Sequence, residues 1–136
     1  MHRNALGAHR LLLLAMALVL VAGSGCSLFG DPVQRQWEDR DRVTSCGTVQ
    51  LDPVRRMDSL PADVEECLEA ALTSRTGGEL VLSYLTTEGD PVTEYRRVTP
   101  AGTTEVFTDA TKDQLGDHTW LYGSCDHPAS ATDVAC

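Results

Sequence analysis

Leu11 to Val21 is an uninterrupted apolar run of eleven residues, too short to match the roughly 20 that a permanent membrane-spanning helix needs. Downstream the pattern changes to two shorter periods. From Leu60 to Arg75 the residues Val64, Cys67, Leu68, Ala71 and Leu72 recur at i, i+3, i+4, i+7 and i+8, which predicts a helix with one apolar stripe. Pro61 suits its first turn, Asp63, Glu65 and Glu66 favour the positive end of its dipole, Arg75 the other end, and Gly77-Gly78 stop it. Four β-type segments follow: Glu79 to Thr87, Val92 to Thr99, Thr103 to Thr108 and Thr119 to Cys125. Glu88-Gly89-Asp90-Pro91 and Thr99-Pro100-Ala101-Gly102 favour tight reversals, so the first three strands read as an antiparallel meander. Leu80, Leu82 and Tyr84 share one face of the first strand, with Val81 and Leu85 on the other. Val43 to Leu51 is a possible edge strand. The predicted fold class is α+β: one helix packed on a roughly four-stranded antiparallel meander, supported by disulfides.

The apolar run also has the flanks of an export signal. Arg3 and Arg10 precede it with no acid between them, and the small residues Ala22, Gly23, Ser24 and Gly25 lead to Cys26. This resembles the lipobox of bacterial lipoproteins, in which the cysteine thiol is diacylglycerated and the chain is cut before it. Gly23 stands where an aliphatic residue is commoner. The resemblance implies residues 1–25 as a lipoprotein signal peptide, Cys26 as the palmitate-bearing lipidation site, and anchoring at the extracytoplasmic face of the bacterial cell membrane. An ordinary signal cut near Ala22 or Ser24 is the alternative. Residues 26–42, with Gly30, Pro32 and mixed charges, read as a lipidated tether. Trp37 within it either lies in the membrane interface or returns to pack on the domain. Residues 43–136 read as one small domain.

Cysteine counting supports this partition. Of five cysteines, setting Cys26 aside leaves an even set, Cys46, Cys67, Cys125 and Cys136. They permit three pairings, and nearness in sequence favours Cys46 with Cys67 and Cys125 with Cys136. Zinc and thiol redox chemistry find no C-x-x-C pair to support them. Losing Arg3 and Arg10 takes the net charge from −9 to about −11. That disfavours nucleic acid and anionic headgroups as partners and leaves an envelope protein, a small ligand or a cation open. The composition, poor in lysine and rich in alanine, arginine and glycine, looks actinobacterial.

Between Leu80 and Cys125 the succession LSYLTTEGDPVTEYRRV and EVFTDATKDQLGDHTW resembles a family of bacterial lipoprotein domains of unknown function, marked by a TEGDP hairpin and a DxTxD segment. The matching positions are Thr87, Glu88, Gly89, Asp90, Pro91, Asp109, Thr111, Asp113, Gly116 and Cys125; Leu115 stands where an aromatic residue is more usual. The resemblance implies a fold and a location, and no activity.

Three candidate chemistries remain. Asp109, Thr111, Asp113 and Asp117 fall at positions one, three, five and nine of a loop that could curl around calcium, although Gln114, Trp120 and Lys112 do not fit such a loop. The alternative is a turn in which these side chains bond nearby amides. Glu88 and Asp90, with Asp109 and Asp113, could serve a small carboxylate-dependent hydrolase if they converge. His118 beside Asp117, and His127 near Cys125, lack a nucleophile to activate. Arg96 and Arg97, with Arg55 and Arg56, suggest a local basic patch on an acidic domain. The expectation is a lipid-anchored, extracytoplasmic binding or envelope-interaction module without cofactor, metal or catalytic residue. A hydrolase or a calcium-stabilised envelope domain is the alternative.

Overall fold

Cys46 enters the interior through an irregularity. In strand β1 (Thr44–Gln50) the pairing with β2 (Gly78–Leu85) shifts between Ser45 and Gly47, so that Cys46 is the extra residue of a bulge. It is 9 % exposed and bonded to Cys67 on the helix α2 (Ala62–Ser74), with the two Cα atoms 5.6 Å apart. The computed structural model describes residues 30–52, 60–134 and 136, of which Asp31–Cys136 forms one compact unit. The expected signal peptide, residues 1–25, with Cys26, Arg55 and Arg56, lies outside the described residues.

The fold is α+β, with a five-stranded sheet in the order β1-β2-β3-β4-β5, where β3 is Pro91–Val98, β4 is Thr104–Asp109 and β5 is Trp120–Cys125. Strands β2 to β5 form the antiparallel meander. The expected sheet of four antiparallel strands is corrected by β1, which joins as a fifth strand and runs parallel to β2. The reason is topological: α2 lies between them, and a strand returning after a helical crossover arrives parallel.

The apolar stripe of α2 is buried as its spacing requires. Val64, Leu68 and Ala71 pack with Leu80, Leu82, Val98 and Cys46, and Leu68, Leu80 and Leu82 are fully buried. A Cβ on Gly78 would come within 2.9 Å of Ala71 Cβ, so only glycine lets the helix settle this close to the start of β2. Arg75 closes the helix in the left-handed conformation at φ 55°, with its N–H on the carbonyls of Ala71 and Leu72. The carboxy-terminal tail covers the same face over β4 and β5. Ala131 is buried, its N–H donates to Glu69 Oε1 at 2.7 Å, the Thr104 hydroxyl donates to the Asp133 carbonyl, and Cys125 is bonded to Cys136.

The expected tether is also corrected from Asp31 onward, and among the described residues the single expected helix becomes two. Residues Pro32–Glu38 form a helix, α1, that crosses the opposite face of the sheet. Asp31 is its N-cap, accepting from Val33 N at 2.8 Å and Gln34 N at 3.3 Å, and Pro32 occupies the first turn. Trp37 is packed on the domain, with its ring centroid 4.6 Å from Tyr95 and 5.2 Å from Trp120. No described helix is long and apolar enough to cross a membrane.

Candidate functional site: an ion-paired row beneath a cleft

The register of the sheet places Glu79 of β2, Arg97 of β3 and Glu105 of β4 side by side in one cross-strand row. All three point to the face that α1 covers, because their strand neighbours Leu80, Arg96 and Thr104 point to the other. Arg40, in the segment after α1, completes the row. Its Nε donates to Glu79 Oε2 at 2.7 Å and its Nη2 to Glu79 Oε1 at 2.9 Å, while Nη1 holds the Trp37 carbonyl at 2.7 Å. Arg97 Nη1 donates to Glu105 Oε2 at 2.7 Å and Nη2 to the Asp41 carbonyl at 2.6 Å. Its Nε lies 3.1 Å from Glu79 Oε2 yet makes no hydrogen bond there, so that contact is one of charge rather than of alignment. Arg97 is 5 % exposed, and a guanidinium so buried is tolerable only between two carboxylates.

Aromatic rings extend this surface. Tyr95 and Trp120 stack 8° from parallel at 5.9 Å, Trp37 tilts against both, and the Arg40 guanidinium lies 4.1 Å from the centre of the Trp37 ring. Burial pushes the Tyr95 phenol above its ordinary range, and the nearby Asp109 carboxylate pushes the same way. Asp31 fixes the far edge of the layer. Besides capping α1, its Oδ2 accepts from the Thr119 hydroxyl at 2.6 Å and from Trp120 N at 2.9 Å. The Thr119 hydroxyl and then the Trp120 amide draw its pKa down to about 2, against a smaller opposing cost of burial.

Between the Asp39–Asp41 segment and strands β3 and β4 opens a cleft of about 410 Å³. Phe107, 1 % exposed, is part of its floor, with Arg97 and Glu105; Gln36, Asp39, Arg40, Asp41, Thr99 and Pro100 surround them. The lining offers hydrogen-bond donors, carboxylates and one aromatic surface. Its described lining sets the charged side chains Asp39, Arg40, Asp41, Arg97 and Glu105 around a mostly apolar surface, an arrangement that can hold a ligand.

The acids singled out from sequence lie elsewhere and do not converge. Glu88 is exposed at the tip of the β2–β3 hairpin, where Gly89 takes φ 93° and Pro91 opens β3. Asp90 is 8 % exposed and reaches across to the loop before β5, accepting from Gln114 N at 2.9 Å and Gln114 Nε2 at 3.0 Å. Asp109 Oδ1 takes the Thr111 amide and hydroxyl, at 3.0 and 2.6 Å. Asp113 Oδ1 takes the amides of Leu115 and Gly116, at 3.2 and 3.1 Å. Asp109 and Asp113 are thus committed to their own turns, and Asp90 to tying the hairpin to the following loop. Among the described residues no group of three or more His, Cys, Asp or Glu side chains is placed to hold a metal ion. Asp117, His118 and His127 are exposed.

The suggested basic patch is corrected. Arg96 and Arg97 are neighbours on a strand and so face opposite sides, and both are buried: Arg96 Nε donates to Glu94 Oε1 at 2.6 Å on the α2 side. The row itself escaped the sequence reading because Glu79, Arg97 and Glu105 come together only once the register is known. The D-P start of α1 was a legible capping signal, outweighed by the charge-rich composition around it. No family model, curated protein or solved structure matches the chain.

Proposed function

We propose that this chain is a lipid-anchored, non-catalytic binding module at the extracytoplasmic face of the bacterial cell membrane, a lipoprotein domain acylated at Cys26, and that its recognition surface is the cleft floored by Phe107 and Arg97. The single observation that carries the reading is the preset arrangement of that cleft: Arg97 is held from both sides by Glu79 and Glu105 and from above by the Asp41 carbonyl, so a ligand meets fixed groups. Two further features support it. The disulfides Cys46–Cys67 and Cys125–Cys136 suit an oxidising compartment. Asp39, Asp41 and Glu105 outnumber Arg40 and Arg97 around the cleft, in an acidic chain, which favours a cationic or donor-rich group on an envelope protein or small ligand.

A photo-crosslinking side chain at Gln36, on the cleft, tests the proposal in intact membranes against the same group at Glu66, exposed on α2. A discrete adduct formed from position 36 and absent from position 66 supports it. No adduct, or the same adducts from both positions, contradicts it.

A further inference from the structure

The chain enters the domain at one particular end of the sheet. Asp31 is bonded to Thr119 and Trp120, at the start of β5 and at the close of the loop 110–119. The β2–β3 hairpin, residues 86–90, lies at this same end, tied to the loop by Asp90 and Gln114. Asp31 is five residues after Cys26. Even a fully extended chain of that length spans at most about 18 Å.

The apolar surface is distributed with the same bias. Among the described residues the exposed large hydrophobic side chains are Leu85, Leu115, Leu121 and Tyr122. Leu85 ends β2 beside the hairpin, Leu115 is in the loop at 77 % exposure, and Leu121 is the second residue of β5. No exposed leucine belongs to the opposite end, where the 99–103 turn and the α2–β2 junction lie; Tyr122, in mid-strand, donates its hydroxyl to Glu105 Oε1 at 3.3 Å. These three leucines thus offer exposed apolar side chains at one end of an acidic domain. The short reach from Cys26 brings the bilayer to that end.

We infer that the end of the sheet carrying the 86–90 hairpin and the 110–119 loop rests against the lipid surface, with Leu115 entering the interfacial region, and that the cleft beside Thr99 and Pro100 therefore opens toward the distal side. This rests on acylation at Cys26. The contact is apolar rather than electrostatic, since Glu88, Asp113 and Asp117 outnumber Lys112 at this end and are repelled by anionic headgroups. Short-range burial of leucine stems is what remains.

The test uses the acylated mature protein in phosphatidylcholine vesicles whose acyl chains carry bromine as a quencher. A polarity-sensitive fluorophore is attached at Leu115→Cys in one preparation and at Ala101→Cys, exposed at the opposite end, in another. The expected result is a blue-shifted emission and loss of intensity from position 115, with neither at position 101. Equal quenching at both positions, or none at 115 in protein that floats with the vesicles, overturns the inference and leaves the anchor standing. Protein that does not float overturns the anchor and the inference together.

Discussion

On one face of the sheet a helix of thirteen residues buries Val64, Leu68 and Ala71 over Leu80 and Leu82 and is bridged to β1 by Cys46–Cys67. On the other a helix of seven residues, none of them buried, is held by Asp31, by the Trp37 ring and by the Arg40–Glu79 pair. The first face is held mainly by apolar burial without direction, with the Arg96–Glu94 pair and the hydrogen bonds of the tail added to it; aligned hydrogen bonds, ion pairs and ring contacts hold the second. Such polar contacts contribute less net free energy each, since water competes for them, but they fix side chains in position. The stability of this domain therefore resides mainly beneath α2, and the proposed recognition surface sits on the side held by fixed polar geometry.

The largest effect expected is from Leu68→Ala, which opens a cavity in the fully buried layer and should cost about 3 to 4 kcal/mol in denaturant unfolding. Removing the bridge by Cys46→Ala with Cys67→Ala should cost roughly 3 kcal/mol, because it frees a loop of 21 residues in the unfolded chain. Trp37→Ala should cost less, about 2 kcal/mol, and should change the near-ultraviolet dichroism of Tyr95 and Trp120 while Cys46–Cys67 stays intact. If Trp37→Ala proves costlier than Leu68→Ala, the contrast between the faces is reversed.

The smallest effect is the most specific. Asp31 titrates lower in the folded chain than the ordinary value of 3.8, so its contribution is complete above about pH 5 and is lost as the pH falls toward 2. Asp31→Asn should cost on the order of 1 kcal/mol at neutral pH and should flatten the acid limb of the stability curve. An acid limb unchanged from wild type would show that the carboxylate does not fasten α1 to β5.

The first face was legible in the sequence because its physics is periodic. Val64, Leu68 and Ala71 announce their side of α2 at any register, and the β2–β4 meander follows from Gly89, Pro100 and the alternation around them. The parallel placement of β1 was not legible, since nothing local to Thr44–Gln50 states which neighbour it will pair with or in which direction. The second face was less legible still. Glu79, Arg97 and Glu105 belong to three strands, and their row exists only through pairing over distances that the sequence does not display. Asp90 and Asp113 show the converse. Their chemistry was visible, but whether an aspartate serves a ligand or its own turn depends on which amides the fold brings to it.

The proposed membrane anchor depends on residue 26, and the intact mass of the amino-terminal peptide from the mature protein tests it most directly. The expected peptide begins at Cys26 and carries a diacylglyceryl group. An unmodified Cys26 still joined to Gly25 would contradict it.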